Sequence, residues 1–142
     1  MNNDKDIVIT SAFRTPIGSF QGSLKNHKAT ELGTAVVKKC MEHSKLNNSE
    51  VDTVILGQVL QTGCGQNPAR QTAIKAGIDK DKTATTINQV CGSGLAAVTL
   101  GFSSLKLNDT NIVIAGGQES MTNSPHYLNY RIEKNLNKEK LK

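Results

Sequence analysis

The chain has 142 residues, of which 37% are hydrophobic and 4% aromatic, and its formal net charge is +5. This length suits one domain with a buried core, and no segment approaches the ~18 consecutive apolar residues that a membrane-spanning helix needs. Residues 131–142 hold five basic and two acidic side chains, more than half of the net charge, so the rest of the chain has no basic stripe of the kind that binds nucleic acid.

The first half of the chain predicts a strand, a helix and a second strand. Residues 6–13 are an apolar run with β-branched side chains, which predicts a buried strand. A loop with one proline and two glycines follows at 14–22. Residues 30–45 have the periodicity of an amphipathic helix, and its expected core face is formed by Leu32, Ala35, Val36 and Cys40. Residues 51–60 predict the second strand.

The second half repeats this alternation with clearer boundaries. A glycine-rich loop at 61–67 leads to Asn67 and Pro68, a typical helix cap and first helical residue, and Gly77 marks the end of a helix over 68–76. Residues 84–90 predict a third strand, which leads into Cys91. A helix follows to about residue 107, and residues 111–117 predict a fourth strand.

The helix after Cys91 is apolar around nearly its whole circumference and has no charge before Lys106. Such a helix is expected to be buried on all sides. The alternation of strands and helices predicts an α/β fold with a largely parallel sheet. Ligands of such sheets bind at the carboxyl ends of the strands, where both Cys91 and the pair Gly116 and Gly117 are expected.

Cys91 is the candidate catalytic residue because it lies where a strand turns into a helix. The positive end of a helix favours a thiolate over a thiol, and free N–H groups there can bind a developing oxyanion. Gly92 and Gly94 are expected to permit a sharp turn. The alternative is a small apolar side chain that fills the core, since cysteine is among the most buried residue types.

Four segments resemble the thiolase family, the acetyl-CoA acetyltransferases. They are residues 12–20, residues 65–71, residues 87–94 around Cys91, and residues 115–121. The resemblance implies an α/β fold, namely a thiolase-like N-terminal half with a mostly parallel, mixed sheet and a buried helix after the nucleophile. It also implies a domain over residues 1–118 and the start of the coenzyme A-binding loop region over 119–142.

The resemblance further implies a reaction. Cys91 would take an acyl group from acyl-CoA as a thioester, with a backbone N–H as oxyanion donor. The carbanion of acetyl-CoA would then attack this thioester to give a 3-ketoacyl-CoA, and the reverse direction would cleave it. No metal or redox cofactor is expected; the coenzyme A thioesters are substrates.

A full thiolase is nearly three times as long, and the activating histidine and second cysteine of the family lie in its second half. The chain is therefore expected to be a truncated thiolase that is marginally stable and almost inactive alone. A homo-oligomer, or pairing with a C-terminal thiolase half, is the expected assembly. The alternative function is a non-catalytic half that assembles in this way.

The remaining cysteines and histidines give weaker signals. Cys40, Cys64 and Cys91 are too far apart for a zinc site. An odd number of cysteines without a signal sequence predicts reduced thiols and a cytoplasmic protein. A cysteine-dependent hydrolase would need a histidine beside Cys91, and none of His27, His43 and His126 lies in a convincing motif.

Overall fold

The chain folds as a parallel sheet with helices on both faces. The computed structural model describes residues 6–127, so the predictions for the charged segment 128–142 lie outside the described residues. In chain order the elements are α1 (Ala29–Ser44), β1 (Thr53–Gly57), α2 (Pro68–Ala76), β2 (Thr83–Ile87), α3 (Ser93–Lys106), β3 (Val113–Gly117) and a short 3-10 turn at Met121–Asn123.

The three strands lie in the order β2-β1-β3, and both pairings are parallel. This confirms the predicted α/β fold, although each strand is shorter than its sequence pattern indicated. In the register of the sheet, Gly57 at the end of β1 lies opposite Ile87 on one side and Gly117 on the other. The carboxyl ends of all three strands therefore meet at one edge, where ligands of parallel sheets bind.

The side chains of β1 alternate between two helical layers. Val54 and Leu56 face α1 and α2, where they join an apolar core with Val37, Met41, Val51, Ala69, Ala73, Ala76 and Ile78. The opposite face of the sheet packs against α3, where Gly101 lies beside Val113 and Ala115 of β3. The core thus lies on the α1 and α2 side of the sheet.

Helix α2 begins and ends at the predicted residues. The Asn67 side chain accepts a hydrogen bond from the Arg70 N–H at 3.2 Å, Pro68 occupies the first turn, and Gly77 ends the helix with a φ of 99°. Glycine takes this left-handed conformation without the steric cost that a side chain brings. Both ends of α2 could be predicted from the local sequence, because each capping residue acts within one turn of the helix.

Helix α1 is also confirmed, but its buried face is rotated from the predicted one. Val37 and Met41 are buried, whereas Ala35 is exposed and Cys40 only half-buried. The reason is that α1 packs against α2 through small residues near its start, so Gly33 lies against Thr72. The predicted core face was chosen from the apolar side chains of α1. Glycine has no side chain, so the contact of Gly33 could not be read from that pattern.

The predicted first strand over residues 6–13 is wrong. These residues have no strand pairing, and Val8 and Ile9 are 71% and 81% exposed. An apolar groove of about 470 Å³ lies between this segment and the outer edge of β3, with α1 and α3 forming other parts of its lining. Strand formation needs a neighbouring backbone for hydrogen bonding, and the groove separates the segment from β3.

Helix α3 is covered on one face only within residues 6–127, as expected for a helix whose second cover lies in the other half of a thiolase. Its inner face is fully packed, with Ala97 0% exposed, but Leu95 is 74% and Phe102 49% exposed. One sheet can cover only one side of a helix, and no described element covers the other. None of the helices within residues 6–127 combines the length and the apolar content needed to cross a membrane.

Candidate active site

Cys91 lies at the edge where the three strands end. It follows β2 by four residues, precedes α3 by two, and is exposed. This is the strand-to-helix junction that the sequence predicted. The alternative of a buried cysteine that fills the core does not fit this exposure. Its role as nucleophile stays a prediction at this point, because position and exposure show only that a substrate can reach the sulfur.

The turn that carries Cys91 contains a left-handed residue that sequence reasoning missed. Val90 has a φ of 53°, a conformation that is rare for a β-branched side chain. Gly92, which was expected to provide the sharp turn, has an ordinary φ of −83°. Backbone strain of this kind persists only where the surroundings hold it, and it concentrates at functional sites.

Two polar side chains hold this turn by bonding its backbone. The Asn88 Oδ1 accepts from the Val90 N–H at 3.0 Å, and the Ser93 Oγ accepts from the Gln89 N–H at 2.8 Å. The Ser93 hydroxyl also donates to the Val90 carbonyl at 2.6 Å. The backbone on both sides of Val90 is therefore fixed by side chains within three residues of it.

The first turn of α3 sits directly on the sheet because glycine lies beneath it. A Cβ placed on Gly57 would lie 2.5 Å from the Ser93 carbonyl carbon and 2.7 Å from the Gly94 nitrogen, closer than real Cβ atoms come. Only a residue without a side chain permits this approach at the end of β1. The position of Cys91 thus depends on a residue in a different element.

Some of the predicted oxyanion donors are already engaged. The N–H of Gly92 donates to the Gln89 carbonyl at 3.1 Å, and that of Ser93 donates to the Val90 carbonyl at 3.0 Å. The N–H of Cys91 itself is another candidate at this turn. An oxyanion donor must point at the position where the charge develops, so these two engaged groups are excluded from that role.

A buried polar network lies behind the strand ends, and sequence reasoning missed it. Gln118 Nε2 donates to the Gln58 Oε1 at 2.9 Å, and the Thr72 hydroxyl donates to the Gln118 Oε1 at 2.7 Å. Gln58 and Gln118 each follow the last residue of a strand, which was the available signal. Glu119 continues the network by accepting from the Val59 N–H at 2.8 Å. The loop after β1 is thereby tied to the end of β3.

The other cysteine and histidine side chains considered as candidates contact residues other than Cys91. Cys64 is half-buried, and its Sγ accepts from the Gln58 Nε2 at 3.3 Å. His27 lies 3.9 Å from the Glu31 carboxylate, and the His43 ring packs edge-on against Phe13. Residues 6–127 contain no cluster of three metal-ligating side chains, and within them no histidine is hydrogen-bonded to Cys91.

Comparison with known proteins gives one consistent result. Residues 7–142 match the sequence model of the N-terminal domain of thiolase. Over 124 residues the chain is 54% identical to the probable acetyl-CoA acetyltransferase of Escherichia coli K12, and 51% identical to the acetyl-CoA acetyltransferase of Pseudomonas aeruginosa. Each alignment covers 87% of this chain and 32% of the relative, so the chain spans about a third of the relatives' length.

A solved structure agrees with these sequence relatives. The crystal structure of Acat5 thiolase from Ascaris suum, in complex with coenzyme A, superposes with a TM-score of 0.86 at 42% sequence identity. The superposition covers 87% of this chain and 32% of that protein. The predicted resemblance is confirmed: the chain belongs to the thiolase family and matches its N-terminal domain.

Proposed function

We propose that this chain contributes the nucleophile of an acyltransferase that forms or cleaves 3-ketoacyl-CoA, with acetoacetyl-CoA from two acetyl-CoA as the simplest case. The observation that carries the proposal is the exposed Cys91 at the start of α3, in a chain similar to acetyl-CoA acetyltransferases. The similar Ascaris suum thiolase was solved with coenzyme A bound, which supports an acyl-CoA substrate.

The first step is the transfer of the acyl group to sulfur. The Cys91 thiolate attacks the carbonyl carbon of acyl-CoA, the C–S bond to coenzyme A breaks, and the coenzyme A thiolate leaves and takes up a proton. One thioester is exchanged for another, so the step is nearly balanced in energy and suits a cysteine nucleophile. During the attack, the N–H of Cys91 donates to the developing oxyanion.

The second step forms the carbon–carbon bond. Acetyl-CoA loses a proton from its α-carbon to a base, and the carbanion attacks the carbonyl carbon of the acyl-enzyme. The bond to sulfur breaks, Cys91 leaves as a thiolate, and the product is a 3-ketoacyl-CoA. The reverse direction uses the coenzyme A thiolate to cleave this product. These steps move acyl groups and protons without a redox change, so we propose that no metal or redox cofactor takes part.

Within residues 6–127 no histidine is hydrogen-bonded to Cys91, and His27 and His43 contact Glu31 and Phe13 instead, so these residues do not identify the base of the second step. We propose that the remaining two thirds of the relatives' length supplies it. The 142 residues alone would then accept an acyl group slowly and turn over little. The exposed apolar side chains of α3, Leu95 and Phe102 among them, support an assembly in which another polypeptide surface covers them.

Acylation is tested directly by mass spectrometry. The protein is incubated with acetyl-CoA and digested with trypsin, which places Cys91 in the peptide 83–106 and Cys64 in the peptide 46–70. We expect an acetyl group on peptide 83–106, its loss in Cys91→Ala, and its retention in Cys64→Ala. Acetylation confined to Cys64, or equal on both peptides, would show that Cys91 has no special role.

The second candidate function, a non-catalytic half that assembles with a C-terminal half or another thiolase chain, is favoured by the same exposed face of α3. Size-exclusion chromatography with and without a full-length thiolase separates the two. A complex that forms equally well with Cys91→Ala and shows no acetylation would favour assembly alone. A sharp thermal transition, no binding of a hydrophobic dye and full turnover by the isolated chain would overturn the proposal that it depends on a partner.

A further inference from the structure

Ser93 is a buried polar residue whose side chain bonds only to backbone around Cys91. It is 4% exposed, although serine is usually found at the surface. Its Oγ accepts from the Gln89 N–H at 2.8 Å and donates to the Val90 carbonyl at 2.6 Å. One hydroxyl therefore bridges two consecutive residues of the strand-to-helix turn, and Cys91 lies inside the bridge.

We infer that Ser93 is a positioning residue for Cys91, an inference that rests on the function proposed above. The hydroxyl holds the turn in the conformation that places the thiol at the start of α3. Ser93 acts through the backbone of Gln89 and Val90, and none of its hydrogen bonds goes to the sulfur. It is therefore not a catalytic residue in its own right.

The turn needs this support because Val90 has a left-handed backbone. A φ of 53° is unfavourable for valine, whose branched Cβ crowds the backbone, and it persists only where other contacts determine it. Asn88 supplies one such contact, at the Val90 N–H. The Ser93 hydroxyl supplies two more, at the Gln89 N–H and the Val90 carbonyl, and it reinforces the backbone hydrogen bonds from the Gly92 and Ser93 N–H groups across the same turn.

The packing of the turn explains why the residue is as small as serine. A Cβ on Gly57 would lie 2.6 Å from the Ser93 Cβ, so the sheet lies directly against this side chain. A longer polar side chain would push α3 away from β1. Ser93→Ala removes the oxygen and keeps the remaining atoms, so it isolates the hydrogen bonds from the packing.

The test is the rate at which iodoacetamide alkylates Cys91 at neutral pH, followed on peptide 83–106. In Ser93→Ala we expect a rate that is roughly three- to tenfold lower, because the relaxed turn no longer holds the sulfur at the start of α3. Cys64, on peptide 46–70, is labelled at the same rate in both proteins.

Ser103→Ala is the matched control. Ser103 lies in the same helix, is exposed, and donates to the Thr99 carbonyl at 3.0 Å, so its loss changes α3 without changing the turn. We expect wild-type labelling in this variant. Equal labelling of Cys91 in wild type and Ser93→Ala would overturn the inference, and so would a change of the same size at Cys64, which indicates a general effect on the fold.

A measurement on the wild-type chain covers the case in which Ser93→Ala does not fold. Hydrogen exchange followed by NMR reports the Gln89 N–H directly, and we expect protection similar to that of the Ser93 N–H, which donates to the Val90 carbonyl. A Gln89 N–H that exchanges as fast as an unstructured peptide would overturn the inference. Neither experiment uses acetyl-CoA, so failed acetylation of Cys91 would overturn the proposed function and leave the positioning role standing.

Discussion

The two faces of the sheet are covered very differently. On one face, α1 and α2 bury Val54 and Leu56 of β1, which are 0% and 4% exposed. On the other face, α3 lies against β1 and β3 with its small residues, while its larger apolar side chains point away from the sheet and stay exposed. The first layer holds the domain together, and the second layer positions the turn that carries Cys91 and leaves an apolar surface uncovered.

The largest difference between the faces is expected on truncation of a leucine. Leu56→Ala removes a buried side chain from the core and is expected to lower the free energy of unfolding by about 2–5 kcal/mol. Leu95→Ala makes the same chemical change on α3, where the side chain is 74% exposed, and should cost no more than about 0.5 kcal/mol. Urea unfolding followed by circular dichroism measures both. Similar losses would show that the outer face of α3 is packed in solution.

A smaller effect, but one with a functional readout, is expected at the end of β1. Gly57→Ala places a Cβ against the backbone of Ser93 and Gly94, so α3 has to shift, and overpacking of this kind typically costs about 1–3 kcal/mol. Cys91 labelling should change as well, because the turn moves with the helix. Gly116→Ala is the control, since its Cβ would meet no atom within 4 Å. Equal behaviour of the two variants would exclude a close fit between β1 and α3.

The sequence predicted correctly those features that are fixed by residues close to one another in the chain, within one helical turn or one strand. Asn67, Pro68 and Gly77 fix the ends of α2 through local hydrogen bonds and backbone preferences, and they were read correctly. The order of elements and the parallel sheet followed from the alternation of patterns. The position of Cys91 at a strand-to-helix junction followed from the same alternation.

Sequence reasoning failed where a residue's role depends on what lies opposite it. The pattern of residues 6–13 is that of a strand, but strand pairing depends on a neighbouring backbone that a groove keeps away. The left-handed Val90 was missed because its conformation is imposed by Asn88 and Ser93. Gly57 was read only as part of a strand, although its function is to admit α3.

The smallest effect is expected at the amino end of the sheet, opposite the turn that carries Cys91. The Asp52 carboxylate accepts from the N–H groups of Asn111 at 2.7 Å and Ile112 at 3.1 Å. The backbone hydrogen bond from Asn111, followed by that from Ile112, lowers the pKa of Asp52 below its ordinary value of 3.8, and Lys82 adds to this. The ionised form is thus favoured by folding, so the linked stability is complete above the unfolded pKa and lost as the pH falls through the folded one.

Asp52→Asn keeps an acceptor but removes this titration. We expect the variant to be less stable than the wild type by no more than about 1 kcal/mol at neutral pH, because a charge-assisted bond becomes a neutral one at a partly exposed site. The difference should shrink below about pH 4, where the wild-type carboxylate becomes protonated. Asp109→Asn removes the same charge from an exposed position and controls for net charge. If the difference in unfolding free energy between wild type and Asp52→Asn stays constant down to about pH 2, the two backbone N–H groups do not distinguish the ionised from the neutral carboxyl group.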